Sequence, residues 1–233
     1  IDPGDEIKGF TIEQLKMVDQ WVLKGLLIKE EEICLWLLQR LFGGRISEFA
    51  GLRSCDFRKF GELKCIYVVK HRLRSLKNEK TRKILPMPES CEWLWDRLSG
   101  DHDDLLWPEF HKVGKDKLGG AKNYWCSNYN ARLRSEMKKF AKSHGVDQQL
   151  PDLYWSTKVF RRTIGSILRE CQGEDAMTMH HIDLLRGHAD ESMARRYDDQ
   201  EVGQVKRAVE IYARISGINE KAGAFLKTLQ QLD

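Results

Sequence analysis

Phe42-Gly-Gly-Arg45-Ile-Ser-Glu48-Phe-Ala-Gly-Leu52 ends one helical run and opens another, and the fold is read outward from this joint. Upstream, residues 31–42 carry apolar side chains through a helix that the Gly43-Gly44 pair is expected to stop. Further upstream, Thr11-Ile-Glu-Gln14 has the spacing of a capping box, followed by Ile12, Leu15, Val18 and Val22 at helical period. Downstream the period changes to that of strands. Residues 63–69 and 82–87 read as two strands, with Lys77-Asn-Glu-Lys80 as the turn-rich connector between them.

Beyond these strands, residues 101–104 and 112–121 read as surface loops around a short Leu-Leu-Trp-Pro segment. Helical patterning returns over residues 124–143, 157–171, 174–185, 191–197 and 201–215. Ala222, Phe225, Leu229 and Leu232 then form one apolar stripe at the C-terminus. The expected class is mainly α with a small antiparallel β-sheet, an α+β fold. The 233 residues suffice for one substantial core, and 41% hydrophobic content supports it.

Composition narrows the setting. No apolar run approaches the ~20 residues needed to span a bilayer, so no membrane partner is expected. Six scattered cysteines, with no CxxC pair, point to reduced thiols in a cytoplasmic (nucleoid) or nuclear protein rather than to zinc or disulfides. The formal net charge is only +4, but its distribution is uneven. Residues 53–83 hold eleven Lys/Arg against three acids, and residues 132–142 hold five against Glu136 alone. Concentrated basic faces suit a polyanion such as nucleic acid; a merely solvated basic surface is the competing reading.

Five reactive side chains stand out: Arg45, Lys158, Arg161, His188 and Tyr197. Phosphodiester cleavage spreads negative charge over non-bridging oxygens, and an arginine fork meets two such oxygens at once. A tyrosine nucleophile conserves bond energy in a phosphotyrosine ester, so rejoining needs no ATP. Its phenol ordinarily titrates near ~10 and needs cationic neighbours to lose its proton. A lysine or histidine can protonate the leaving 5′ oxygen. Each residue alone also has an ordinary reading as a solvated helix charge. The joint order of Arg, Lys, Lys-x-x-Arg, Gly-His and Tyr is much harder to obtain by chance.

Residues 42–56, beginning Phe42-Gly-Gly-Arg45-Ile-Ser-Glu48, resemble the first signature box of the tyrosine recombinases, the phage-integrase family. Lys158-Val-Phe-Arg161-Arg-Thr-Ile-Gly-Ser resembles the second box, and Leu184-Leu-Arg-Gly-His188 through Arg196-Tyr197 resembles its end. The resemblance covers about residues 8–215. It implies an arginine clamp of Arg45 and Arg161, with Tyr197 as the nucleophile of a 3′-phosphotyrosyl link. It implies that His188 assists the scissile phosphate and that Lys77 is the general acid, with Lys80 in the same connector as the alternative. Glu48 is implied to brace Arg45 or to be a simple surface pair.

Lys80, Arg82, Arg162 and Arg186 are the basic neighbours expected to touch DNA. The family most often has His where this chain has Lys158. A charged ammonium only donates, so Lys158 can stabilise the phosphate or phenolate but cannot accept the tyrosine's proton.

The resemblance further implies double-stranded DNA as partner, a homotetramer on DNA, and neither metal nor other cofactor. Residues 10–216 would form the catalytic domain after a linker over residues 1–9. The stripe over residues 217–233 would pack on a neighbouring protomer or fold back on its own domain. The family's N-terminal DNA-binding domain has no counterpart before Phe10. Type IB topoisomerases resemble the same set, and Lys158 suits them equally; the Arg-Ile-Ser-Glu box favours site-specific recombination. A relative that binds DNA without cutting it is the remaining alternative.

Overall fold

The computed structural model describes residues 9–74, 83–115, 121–143, 158–170, 185 and 199–232. Helix α1, Ile12–Trp21, begins at Thr11, whose hydroxyl accepts from Gln14 N at 3.2 Å while Gln14 Oε1 accepts from Thr11 N at 3.0 Å. This is the capping box expected from Thr11-Ile-Glu-Gln14. Helix α2, Glu30–Phe42, is buried along nearly its whole length and ends where Gly43 takes a left-handed φ of 58°. A left-handed residue at that position is the usual helix stop, and glycine adopts it without a Cβ penalty. Helix α3, Ile46–Ala50, follows at once, with Arg45 as its capping residue.

The strand period is realised as a three-stranded antiparallel sheet in the order β1 (Phe57–Phe60), β2 (Leu63–Val68), β3 (Lys83–Pro86). The pairings Phe57↔Ile66 and Tyr67↔Ile84 fix its register. Strand β1 lay outside the sequence expectation because Phe57-Arg-Lys-Phe60 is short and exposes both charged residues. Helix α4, Glu92–Leu98, packs beneath β2, with Trp95 Nε1 donating to the Cys65 carbonyl at 3.0 Å.

The segment expected to loop over residues 112–121 is instead largely an antiparallel hairpin, β4 (His111–Lys115) with β5 (Ala121–Trp125). Apolar alternation is missing because the hairpin is largely solvent-facing; Val113 is 66% exposed. Its base is tied down by the His111–Trp125 ring contact at 4.7 Å. Helix α5, Ser127–Ser143, begins later than the pattern suggested, after Cys126 turns the chain with a φ of 54°.

Helix α6, Lys158–Glu170, lies against α2 through the edge-on contact of Trp36 with Phe160, 4.7 Å between centroids. Gly9 and Phe10 pack on its other flank. A Cβ at Gly9 would sit 2.8 Å from Thr163 Cα, and Phe10 N donates to Thr163 Oγ1 at 2.8 Å. Helices α7, Asp199–Ile215, and α8, Ile218–Gln230, close the fold. The C-terminal stripe is covered by its own domain: Ala222, Phe225 and Leu229 are buried, and Leu232 is exposed. The patterned residues 174–184 and 191–197 lie outside the described residues.

Arg40, which interrupts the apolar run of α2, is fully buried. Its guanidinium holds Asp19 through Nε and Nη2, Tyr212 Oη at 2.7 Å, and Ser216 through both side chain and carbonyl. A charge so enclosed is tolerated only when paired and hydrogen-bonded throughout. The five cysteines among the described residues, Cys34, Cys55, Cys65, Cys91 and Cys126, are free thiols. Among the described residues, no helix is long and apolar enough to cross a membrane.

Candidate functional site

The left-handed turn at Gly43 does more than stop α2. A Cβ there would lie 3.1 Å from Arg161 Cα, 3.1 Å from the Phe160 carbonyl and 2.8 Å from Ile164 Cδ1. The turn carrying Arg45 is therefore pressed directly on the helical backbone carrying Arg161. Two box motifs that are remote in sequence meet at one glycine, whose missing side chain makes the approach possible.

Glu48 organises the Arg45 side. It sits one turn into α3 and reaches back, Oε2 accepting from Arg45 N at 2.9 Å, as the acidic member of a capping box does. Its Oε1 meets Arg45 Nη1 at 3.0 Å, and its Oε2 meets Lys83 Nζ at 2.8 Å. Side-chain exposure is 41% for Arg45 but only 4% for Glu48. Glu48 is therefore no surface pair. Burial drives its carboxyl up, and Lys83 and Arg45 outweigh burial, so it stays below the usual carboxylate value.

Lys83 opens β3 and is almost fully enclosed. Burial lowers its ammonium and Glu48 pulls it back. Arg161 and Arg45 are close enough to push it down again, leaving it below the ordinary lysine value. Two cations thus share one carboxylate, with Arg161 in electrostatic range of Lys83, a formal excess of positive charge that includes a half-exposed arginine. Such an excess is suited to a polyanionic ligand.

A second buried cation supports the same hub. Arg74 donates to the Glu48 carbonyl at 2.8 Å and to the Val69 carbonyl at 2.6 Å, and lies 3.5 Å from Asp56. A Cβ at Gly51 would sit 2.8 Å from Arg74 Cδ, so Gly51 makes room for it. Arg74 and Lys83 flank residues 75–82, and both end on Glu48.

Of the residues singled out from sequence, Arg45, Glu48 and Arg161 are brought together. Arg162 is half-buried on the same helix as Arg161. Lys158 is the first residue of that helix, and its side chain lies outside the described residues. Lys77, Lys80, Arg82, Arg186, His188 and Tyr197 also lie outside them. Lys83 and Arg74 escaped the sequence reading. The signal for Lys83 was slight: it lies in the strand expected over residues 82–87, where alternate side chains face inward.

No family model matches the chain, and no curated protein or solved structure matches it.

Proposed function

We propose that this chain is the catalytic domain of a DNA strand-exchange enzyme of the tyrosine-recombinase type, acting in site-specific recombination. The observation that carries the reading is the contact of Gly43 with the Arg161 backbone. It gathers Arg45 and Arg161, which the resemblance names as the phosphate clamp, beside a carboxylate with surplus cation around it. Order and spacing of the Lys158, His188 and Tyr197 motifs supply the rest.

In this reading the Tyr197 phenolate attacks the scissile phosphorus in line, and the bond to the 5′ oxygen breaks. Lys77 or Lys80 protonates that oxygen, leaving a 5′ hydroxyl and a 3′-phosphotyrosyl link. Arg45 and Arg161 neutralise charge on the non-bridging oxygens as it grows. Attack by a 5′ hydroxyl on the phosphotyrosine reverses the step and restores Tyr197, with no net consumption of energy.

Covalent trapping tests the reading. Wild-type and Tyr197→Phe protein are incubated with nicked, randomised duplexes, denatured, and the protein-linked DNA is sequenced. Adducts made only by wild type are expected. An inverted-repeat site among them identifies a recombinase, and a short single motif a topoisomerase. An adduct from Tyr197→Phe removes Tyr197 as the nucleophile. Binding without any adduct leaves a DNA-binding relative.

A further inference from the structure

Lys83 occupies an unusual place for a lysine: enclosed, on the first residue of a strand, sharing a carboxylate already used by an arginine. An isolated Arg–Glu pair tends toward the two-pronged geometry in which both carboxylate oxygens meet parallel N–H groups. Arg45 and Glu48 do not reach it. Glu48 Oε2 is taken by Lys83 Nζ at 2.8 Å and Arg45 N at 2.9 Å, leaving Oε1 for Arg45 Nη1 at 3.0 Å. Among the described residues, Glu48 Oε1 is the only hydrogen-bond partner of the Arg45 guanidinium. The remaining donors sit on a side chain that is 41% exposed, while Lys83 and Glu48 are 6% and 4% exposed.

We infer that Lys83 is a positioning residue for Arg45: by holding Glu48 Oε2 it keeps the guanidinium on one oxygen, with its other donors turned out to a phosphate. This inference rests on the strand-breaking reading above and adds the residue that sets the aim of one arm of its clamp. The competing account is a plain structural ion pair, and the arrangement differs from one. A structural pair closes on itself, as Asp19 and Arg40 do, whereas here two cations share one carboxylate and Arg161 stands within electrostatic range of Lys83. Enclosing Lys83 opposite two arginines costs stability that a simple fold-holding pair would avoid.

The test uses Lys83→Met, which keeps chain length and removes the ammonium. Nitrogen-15 side-chain spectra of Arg45, recorded without DNA, report whether the guanidinium turns back onto both Glu48 oxygens; altered, slowed exchange of its Nη protons is expected. Single-turnover cleavage of prebound duplex should fall on the order of 10²-fold, the scale of losing one transition-state partner. Duplex affinity should change less than about threefold, since many phosphate contacts share it. Adding Glu48→Gln to Lys83→Met removes the carboxylate that captures Arg45 and should restore cleavage to within about tenfold of wild type.

Unchanged Arg45 spectra in Lys83→Met overturn the inference. So does a double variant that melts like wild type yet stays as slow as Lys83→Met. If Lys83→Met does not fold, the double variant, with neither side-chain charge of the pair, carries the test alone: cleavage within about tenfold of wild type is expected, and a loss on the order of a hundredfold overturns it. Wild type that forms no adduct on any duplex sinks the strand-breaking reading by itself, because the Arg45 spectra are read in the absence of DNA.

Discussion

Two buried polar clusters stand on either side of the C-terminal end of α2, and they are built on opposite principles. At Arg40, inside α2, all three guanidinium nitrogens are engaged, by Asp19, Tyr212 and Ser216, and neither charged partner of the pair touches water. At Arg45, just past the end of α2, one guanidinium nitrogen is engaged among the described residues and the side chain is partly exposed. The first cluster is saturated and joins α1, α2 and α7. The second has more cation than anion and opens outward. An arginine whose donors are all used inside the chain holds a fold together, whereas one held by a single bond is set out for something that arrives.

Asp19→Ala should have the largest effect. It strands Arg40 in a sealed pocket and should cost about 3–5 kcal/mol, read from urea unfolding. A loss under about 1 kcal/mol would mean that water reaches Arg40 and that the cluster is not sealed. Next comes Arg161→Ala, which should leave the unfolding curve close to wild type but slow cleavage of bound duplex by roughly 10²–10³ or more. Wild-type cleavage by that variant would remove Arg161 from the site.

Gly43→Ala should affect both regions together. A left-handed φ of 58° and a Cβ 2.8–3.1 Å from its neighbours are both strained. About 1–3 kcal/mol of stability should be lost, along with part of the cleavage rate as the Arg45 turn is pushed off α6. Acid should separate the clusters by titration. Glu48 is held below its ordinary 4.5, so its contribution is complete above that value and drains away as pH falls through the lower folded one. Urea midpoints taken from about pH 7 to about pH 3 should fall less steeply in Glu48→Gln. The smallest effect belongs to Thr11→Ala, a cap remote from either cluster, at about 1 kcal/mol and with cleavage unchanged.

How much of this was legible beforehand depends on the range of the interaction. Signals that act within a few residues were readable: the Thr11 capping box, the Gly43 stop, the strands around Ile66 and Ile84, the apolar face of α6. Strand β1 and the β4–β5 hairpin were not, because both present polar residues to water and lack the alternation that marks a half-buried strand. Arg45, Glu48 and Arg161 could be named from their motifs. Their common meeting point could not, since it depends on Gly43 approaching a helix from far along the chain. Lys83 and Arg40 were harder still. A charged side chain declares itself buried only through its partner, and Glu48 and Asp19 each lie more than a dozen residues from the cation they hold.

The contact of Gly9 and Phe10 with Thr163, 153 residues along the chain, bears on when during synthesis the fold can close. A growing chain folds from its N-terminus as it leaves the ribosome. Until the segment bearing Arg161 has emerged, Gly43 has nothing to lean on, Phe10 lacks its partner, and the aromatic face of Trp36 is uncovered. Arg40 waits longer, for Tyr212 and Ser216. A nascent or prematurely terminated product therefore carries Arg45 on an unfinished core, open to proteolysis. Arrested chains released at successive lengths should stay protease-sensitive through residue 170 and become resistant only once α7 is complete.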